Sequence, residues 1–505
     1  MTRELSRRNL IKHSMTVAAA AGVSPAIAFG KSASLSFEEY RNYDALGLAG
    51  LVTKGEISAL ELLEIAIART EAVNPSINCI VEKLYNRARI AAQGDLPEGP
   101  FCGVPFLLKD LGMALTGTVT TNGSRFYKGA ISKHNSTVVD RYQQAGLIIF
   151  GKTASPEFGG TGTTESILFG DTHNPWDLTR TTGGSSGGAA ASVATGILPI
   201  ANATDGGGSI RIPASCCGLF GMKPSRGRVP AGPKKLSSTM SVIHAVSRSV
   251  RDSAALLDAT AGPEPGQTTI APAPQHTYLE QLQRPPRALR IGLITTPVTR
   301  SAVHPECSKA ADNAAKLCES LGHSVEKIRL PIDPREFFAS ARVIMGAGTV
   351  ARVVAREQQL GRKVTKDDLE PIIWERYQSS RVYSAEQLDT AGRGLERVSQ
   401  QMALLQRQYD VLLSPTLATP PVKLGKLSLN QENEPYEKEA LNVSSFTMLY
   451  NATGQPAMSV PLHWTPEGLP VGVMFAGRYG EEGLLFQLAG QLEQASPWFN
   501  KLPPV

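Results

Sequence analysis

Along the first third of the chain the apolar positions switch between two periods. In SALELLEIAIARTEAVNP (58–75) they recur at helical spacing behind Ser58 and Glu61, which form a capping box, and Asn74-Pro75 marks a stop. SINCIVE (76–82) and VPFLLKDL (104–111) read as strands, STVVDRYQQAG (136–146) as a helix closed by Gly146, and LIIFGKT (147–153) as a buried strand. After the Pro-rich connector GPEPGQTTIAPAPQ (262–275), the segments LRIGLIT, HPECSKAADNAAKLCESLG and SVEKIRL predict a βαβ unit over 289–329. A charged helical stretch follows from about 333 to 412, ending in the strand YDVLLSPT. This alternation predicts an α/β architecture in which helices cover both faces of a central sheet. Between 153 and 235 it gives way to long Gly-rich irregular sequence, which inside a compact domain is usually functional.

Composition narrows the class. At 505 residues, with 42% hydrophobic and 19% charged positions and no internal repeat, the chain reads as one large folded domain rather than a fibre or tail. Arg3, Arg7, Arg8 and Lys12, set against Glu4, place half of the formal net charge of +6 ahead of Phe29. No run of five like charges and no interleaving of basic with aromatic residues occurs, which argues against nucleic acid as a partner. Ser6-Arg7-Arg8-Asn9-Leu10-Ile11-Lys12 resembles a twin-arginine export signal, and Ala26-Ile27-Ala28 a cleavage site. The apolar stretch Met15–Val23 is about half of the roughly 20 residues a membrane span needs, so no stable membrane anchor is expected. The expectation is a signal peptide over 1–28, a periplasmic domain over 29–505, and a cytoplasmic protein if the leader is instead an ordinary amphipathic helix. Six cysteines without metal-ligand spacing read as free core thiols, with no metal and no cofactor expected.

The chemistry concentrates in two glycine–serine knots, GGSSGG (183–188) and DGGGS (205–209). Gly183-Gly184-Ser185-Ser186-Gly187 fits a nucleophile elbow, but its approach, HNPWDLTRTTGG, reads as loop where that motif needs a buried strand. The downstream histidines His244, His276, His304, His323 and His463 sit in undistinguished settings, so a Ser-His-Asp esterase is the less favoured reading. A different base is Lys109, a single lysine among Val104, Phe106, Leu107, Leu108 and Leu111; strand alternation sends it and Asp110 to opposite faces. Burial there disfavours the ammonium and lowers its pKa toward the range of a general base. The competing reading is an edge lysine paired with a carboxylate. Gly206, Gly207 and Gly208 let backbone N–H groups converge beside Ser209 as an oxyanion nest. A phosphate loop is disfavoured because Pro213, not a Lys-Ser/Thr, follows the serine.

LLKD (107–110), GGSSGGAAASVATGILPIANATDGGGSIRIPASCCGLFGMKPSRGRVP (183–230) and NATGQPAMSVPL near the C-terminus together resemble the amidase signature family of serine hydrolases, over roughly residues 40 to 495. NPWDLTR and HPECSKAA are most similar to its 6-aminohexanoate cyclic-dimer hydrolase branch. The resemblance implies a three-layer α/β/α fold around a large mixed β-sheet. It places a signature core at about 104–235 and an insertion of the βαβ unit and helices, about 280–410, beside the site. Lys109 matches the catalytic lysine, Ser185 the serine after a cis peptide, and Ser209 the acylated nucleophile, and the spacing between the two serines is also the family's. Gly206, Gly207, Gly208 and Ser209 match the oxyanion donors, and Asp205, Arg211 and Ser186 are supports. Gly206 departs from the side-chain-bearing residue that many members carry. The implied activity is amide hydrolysis through an acyl-enzyme on a small-molecule amide, with 6-aminohexanoate-type cyclic or linear amides as candidates and a homodimer as the candidate assembly. An esterase or carbamate hydrolase of the same fold and a non-catalytic exported binding protein are the alternatives.

Overall fold

The computed structural model describes residues 35–233 and 240–505, so the leader expected at 1–28 lies outside the described residues. The first long helix, α1 (Ala59–Ile77), begins at the predicted Ser58/Glu61 capping box but runs through Pro75 instead of stopping there. Pro75 sits in the last turn, where its missing N–H removes one helical bond only. The end is set by Asn78, whose φ of 55° is left-handed, and by the Asn74 carboxamide, which accepts the N–H groups of Cys79 and Ile80 at 2.8 and 2.9 Å. The strand expected from residue 76 is shortened accordingly to β1 (Ile80–Lys83). It pairs antiparallel with β3 (Ile148–Thr153), which pairs parallel with β2 (Pro105–Lys109) in a three-stranded sheet.

The main sheet has eight strands: β4 (Ile200–Asp205), β5 (Phe220–Lys223), β6 (Val242–Ser247), β7 (Arg290–Ile294), β8 (Ser324–Ile328), β9 (Val411–Pro415), β10 (Ala457–Trp464) and β11 (Pro470–Ala476). Their order is β8-β7-β9-β11-β10-β5-β6-β4, parallel at β8-β7-β9 and antiparallel elsewhere. The free edge of β2 lies against β4, where the Lys109 N–H donates to Asn202 Oδ1 at 3.1 Å. Alternation divides the interior between two faces. In β11, Val471, Val473 and Phe475 join a core with Cys307 and Leu485, while Met474 and Ala476 point to the opposite core with Val398 and Met402. The fold is the α/β architecture the sequence pattern implied, with helices on both faces of the sheet, and the sheet is mixed as the family resemblance implied.

The βαβ unit departs from the expected insertion. Ile291 of β7 is fully buried and pairs in register with Val411 of β9, so β7 and β8 extend the main sheet at its edge. What packs near the glycine–serine knots is the helical part alone. After α2 (Gly187–Ala194), α3 (Arg211–Cys217) and α4 (Pro305–Ser320) come α5 (Pro334–Leu360), α6 (Pro371–Ser380), α7 (Ala385–Leu405) and finally α8 (Glu482–Ala495). At 27 residues α5 is long and apolar enough to cross a membrane by length and composition alone. Here it packs through Gly346 on Ser380 of α6 and through Ser340 on Gly394 of α7. In turn α6 sets Ile373 and Arg376 over Gly160, the Arg376 Nη1 donating to the Gly160 carbonyl at 2.6 Å. All described residues belong to one compact unit, Ser34–Val505.

Candidate active site

All five residues of β2 are buried, and the alternation that turns Leu107 into the core with Ala189 and Ala190 carries Lys109 to the same side. There the Lys109 Nζ lies within hydrogen-bond distance of three hydroxyls, Ser185 Oγ at 2.7 Å, Ser186 Oγ at 2.8 Å and Thr204 Oγ1 at 3.0 Å. Burial is the main influence on this amine, pushing its pKa down from 10.5 to about 7 against the opposing pull of the Asp205 carboxylate. Asp110 does face the other way: it accepts the N–H of Thr121 at 2.9 Å and the Thr121 hydroxyl. Among the described residues Lys109 forms no ion pair, so the reading as an edge lysine paired with a carboxylate fails. Thr204, which no sequence motif singled out, completes the set of hydroxyls around the amine. Its signal was the period-two placement of Asn202 and Thr204, alternating with Ala201 and Ala203 in β4; both reach Lys109.

Ser185 is delivered by a loop that tolerates only glycine before it. Gly183 has a φ of 71°, and the Gly184–Ser185 peptide is cis. A Cβ on Gly184 would lie 2.0 Å from the Thr163 carbonyl oxygen, and one on Gly159 2.9 Å from Ser185 Oγ. The approach to the knot is a small antiparallel hairpin, 173–174 with 177–181, and not plain loop. It is still not the buried sheet strand that a nucleophile elbow needs. The histidines are engaged elsewhere: His244 with Ser253, His323 with Gln491 and His463 with Glu306, while His304 caps α4. Burial lowers the His244 pKa to about 3. No histidine bonds to either serine among the described residues, and the Ser-His-Asp alternative fails with them.

The helix that leaves the second knot packs directly on the first. A Cβ on Gly183 would lie 3.0 Å from Pro213 Cα and 3.1 Å from Cys216 Sγ, both in α3. Ser209 is 9% exposed, and within the described residues its hydroxyl forms no hydrogen bond to Ser185. Catalytic hydroxyl pairs are often looser before substrate binds. Behind the loop, Asp205 and Arg211 form a fully buried ion pair, Arg211 Nε to Asp205 Oδ2 at 3.0 Å and Nη2 to Oδ1 at 3.1 Å. Burial would raise the Asp205 carboxyl, but the Arg211 guanidinium holds it well below the usual carboxylate range. The Asp205 carboxylate also accepts the N–H of Gly208 at 2.6 Å and that of Ile210 at 3.1 Å. This corrects the expected oxyanion set: the Gly208 N–H is spent on Asp205, because the loop must neutralise that buried carboxylate from the inside. The N–H groups of Gly206, Gly207 and Ser209 have no acceptor among the described residues. Asn451, a further residue missed as a contributor, donates to Asp205 Oδ1 at 2.8 Å and accepts from Arg211 Nη2 at 2.7 Å. The six cysteines carry free thiols, and among the described residues no group of three or more His, Cys, Asp or Glu side chains is arranged to hold a metal ion.

A lysine stripped of water, two adjacent serine loops and an open backbone nest define a serine-type acyl-transfer site. The family model named Amidase matches residues 61–486, and the chain belongs to that family: it is an amidase, a hydrolase of amide bonds. The non-catalytic alternative is thereby set aside. Among its relatives is the 6-aminohexanoate-cyclic-dimer hydrolase of Paenarthrobacter ureafaciens, 37% identical over 481 residues, covering 91% of this chain and 96% of that protein. A lipoamidase from Enterococcus faecalis is 33% identical over 476 residues, covering 90% of this chain and 63% of that protein. Among solved structures, 6-aminohexanoate cyclic dimer hydrolase superposes with a TM-score of 0.87 at 35% identity over 92% of this chain and 99% of that one. A bacterial aryl acylamidase of the amidase signature family gives 0.83 at 29% identity over 91% and 98%.

The tightness of the first knot is directly testable. Gly184→Ala must displace the Ser185 peptide from Thr163, and misplacing a catalytic group by about 1 Å costs on the order of 10²-fold in rate. Amide turnover by the purified variant is expected to fall at least that far, and near-wild-type turnover would contradict the packing described.

Proposed function

We propose that this amidase cleaves its substrate through an acyl-enzyme on Ser209, and that its substrates are amides of the 6-aminohexanoate type, cyclic or linear. Neutral Lys109 takes a proton from Ser185, Ser185 takes one from Ser209, and Ser209 Oγ attacks the amide carbonyl. The developing oxyanion is met by the free N–H groups of the 206–209 nest. The proton then returns along the same line to the leaving amine, and water releases the acid. Asp205 and Arg211 hold the nest, and Ser186 holds the amine of Lys109. The observation that carries this reading is the Lys109 Nζ: buried, without a carboxylate, and bonded to three hydroxyls of which one is Ser185. The substrate class is supported by the two 6-aminohexanoate-cyclic-dimer hydrolases, each 37% identical to this chain. Esters and carbamates belong in the same substrate panel.

Because the amine must be neutral to accept a proton, kcat/KM is expected to fall as pH drops through about 7, the value to which burial brings Lys109, and to level off above it. Ser209→Ala should lower turnover of cyclic, linear and aryl amides at least about 10⁴-fold. Intact-protein mass spectrometry should show an acyl adduct in the wild type alone. Turnover surviving that substitution, or a rate that rises as pH falls below 7, would overturn the mechanism.

The proposal extends to where and how the enzyme works. The Ser6–Lys12 motif and the Ala26-Ile27-Ala28 site favour twin-arginine delivery to the periplasm. A homodimer is the candidate assembly. Fractionation of the producing cells should place activity in the periplasm in a form lacking the leader, and light scattering should give twice the mass of the processed chain. Cytoplasmic activity or a monomeric mass would count against each in turn.

A further inference from the structure

The peptide joining Gly207 to Gly208 is held at both ends. The Thr447 hydroxyl donates to the Gly207 carbonyl at 2.6 Å, and the Gly208 N–H donates to Asp205 Oδ1 at 2.6 Å. One peptide further on, the Gly208 carbonyl accepts the Ile212 N–H at 2.7 Å. Gly208 itself has a φ of 135°, and a Cβ there would lie 2.4 Å from Thr447 Oγ1, so the threonine hydroxyl fills the space beside that residue. Since a peptide unit is planar, fixing the carbonyl of Gly207 fixes the N–H of Gly208 on the opposite side. The N–H groups of Gly207 and Ser209, in the peptides flanking the clamped one, are left without an acceptor among the described residues.

Thr447 does not act alone. Asn451, the first residue of the NATGQPAMSVPL segment, donates to the Asp205 carbonyl at 2.9 Å, to Asp205 Oδ1 at 2.8 Å and to the Met240 carbonyl at 3.2 Å. It also accepts from Arg211 Nη2, while Arg211 Nη1 donates to the Thr447 carbonyl at 2.8 Å. Both residues are buried, Thr447 fully. Two side chains one helical turn apart, reaching one loop from a segment remote in sequence, thus close a ring: Thr447, Gly207, Gly208, Asp205, Asn451 and Arg211.

We infer that Thr447 and Asn451 are positioning residues for transition-state stabilisation: they lock the Gly207–Gly208 peptide so that the flanking N–H groups of Gly207 and Ser209 stay aimed at the oxyanion. This rests on the reading of Ser209 as the nucleophile. Without the Thr447 hydroxyl the peptide is held at one end only, by the Gly208 N–H bond to Asp205, and the Gly207 carbonyl can turn toward the site whenever that bond yields. It would then set an acceptor oxygen against developing negative charge where donors are required. Because that charge exists only in the transition state, the loss falls on kcat and not on KM.

The test is steady-state kinetics on an aryl amide with Thr447→Val and Thr447→Ser, beside inhibition by an alkyl trifluoromethyl ketone, whose serine adduct carries the same oxyanion. Thr447→Val is expected to lose about 10- to 100-fold in kcat, less than the 10²–10³ that a missing direct donor costs, with KM within about twofold. Its affinity for the trifluoromethyl ketone should fall in parallel, and Thr447→Ser should restore both. Thr447→Ala serves the same comparison if the valine variant does not fold. Fluorophosphonate labelling of the wild type, mapped by mass spectrometry, separates the two levels. If Ser209 is not the labelled residue, the nucleophile reading fails. If Ser209 is labelled but removal of the hydroxyl leaves kcat unchanged, or acts through KM, or the serine variant fails to restore it, the clamp is wrong.

Discussion

A lysine amine shut away from solvent, with no ion-pair partner among the described residues, is the constraint on which this structure turns. Moving a lysine pKa from 10.5 to about 7 corresponds to roughly 5 kcal/mol against the charged form. A hydrogen bond to a hydroxyl returns only about 0.5–1.5 kcal/mol. The cost is tolerated because the neutral amine is well satisfied: Ser185, Ser186 and Thr204 surround it at 2.7 to 3.0 Å. Those three oxygens come from two distant pieces of chain, and both must approach β2 closely. Gly184 and Gly187 let the piece carrying Ser185 and Ser186 pack tightly on its own neighbours, since a Cβ at either would lie within 2.2 Å of an oxygen of Thr163 or Thr182.

The site keeps its charges apart by function. On the Lys109 side every partner is a neutral hydroxyl, so a proton can move without stranding a buried ion. On the Asp205 side the charges are paired and saturated: Asp205 takes two side-chain bonds from Arg211, one from Asn451 and two backbone N–H groups. Breaking a buried pair of this kind typically costs about 3–5 kcal/mol, which makes it a rigid frame. The 206–209 loop leaves the charged half with its backbone oriented by the Asp205 carboxylate. The helical layer reaches the neutral side, with Ile373 and Arg376 of α6 resting on Gly160, next to the residue that borders Ser185.

Much of this was legible before any coordinate. Lys109 announced itself as one lysine in an apolar strand, and the two knots as glycine clusters too dense for ordinary turns. Four things were not legible, each for a physical reason. The Gly208 N–H was expected among the oxyanion donors, but glycine content reports that a backbone can bend, not which acceptor its N–H will find; here Asp205, just upstream in the same loop, claims it. Thr447 and Asn451 reach the loop from the far end of the chain, a separation at which local pattern carries no signal. The βαβ unit was placed beside the site because its own pattern is complete without a partner strand, and only the pairing of Ile291 with Val411 reveals it as the sheet's edge. Pro75 likewise read as a helix stop, and the left-handed Asn78 shows that the last turn accommodates it.

The central claim is that Lys109 is uncharged when the enzyme works, and it can be read without any substrate. In protein carrying isotope-labelled lysine, with Lys109→Met used to assign the signal, the side-chain resonance of Lys109 should titrate with a midpoint of about 7. A midpoint near the ordinary lysine value of 10.5 would show the ammonium intact at neutral pH and contradict the account at its base.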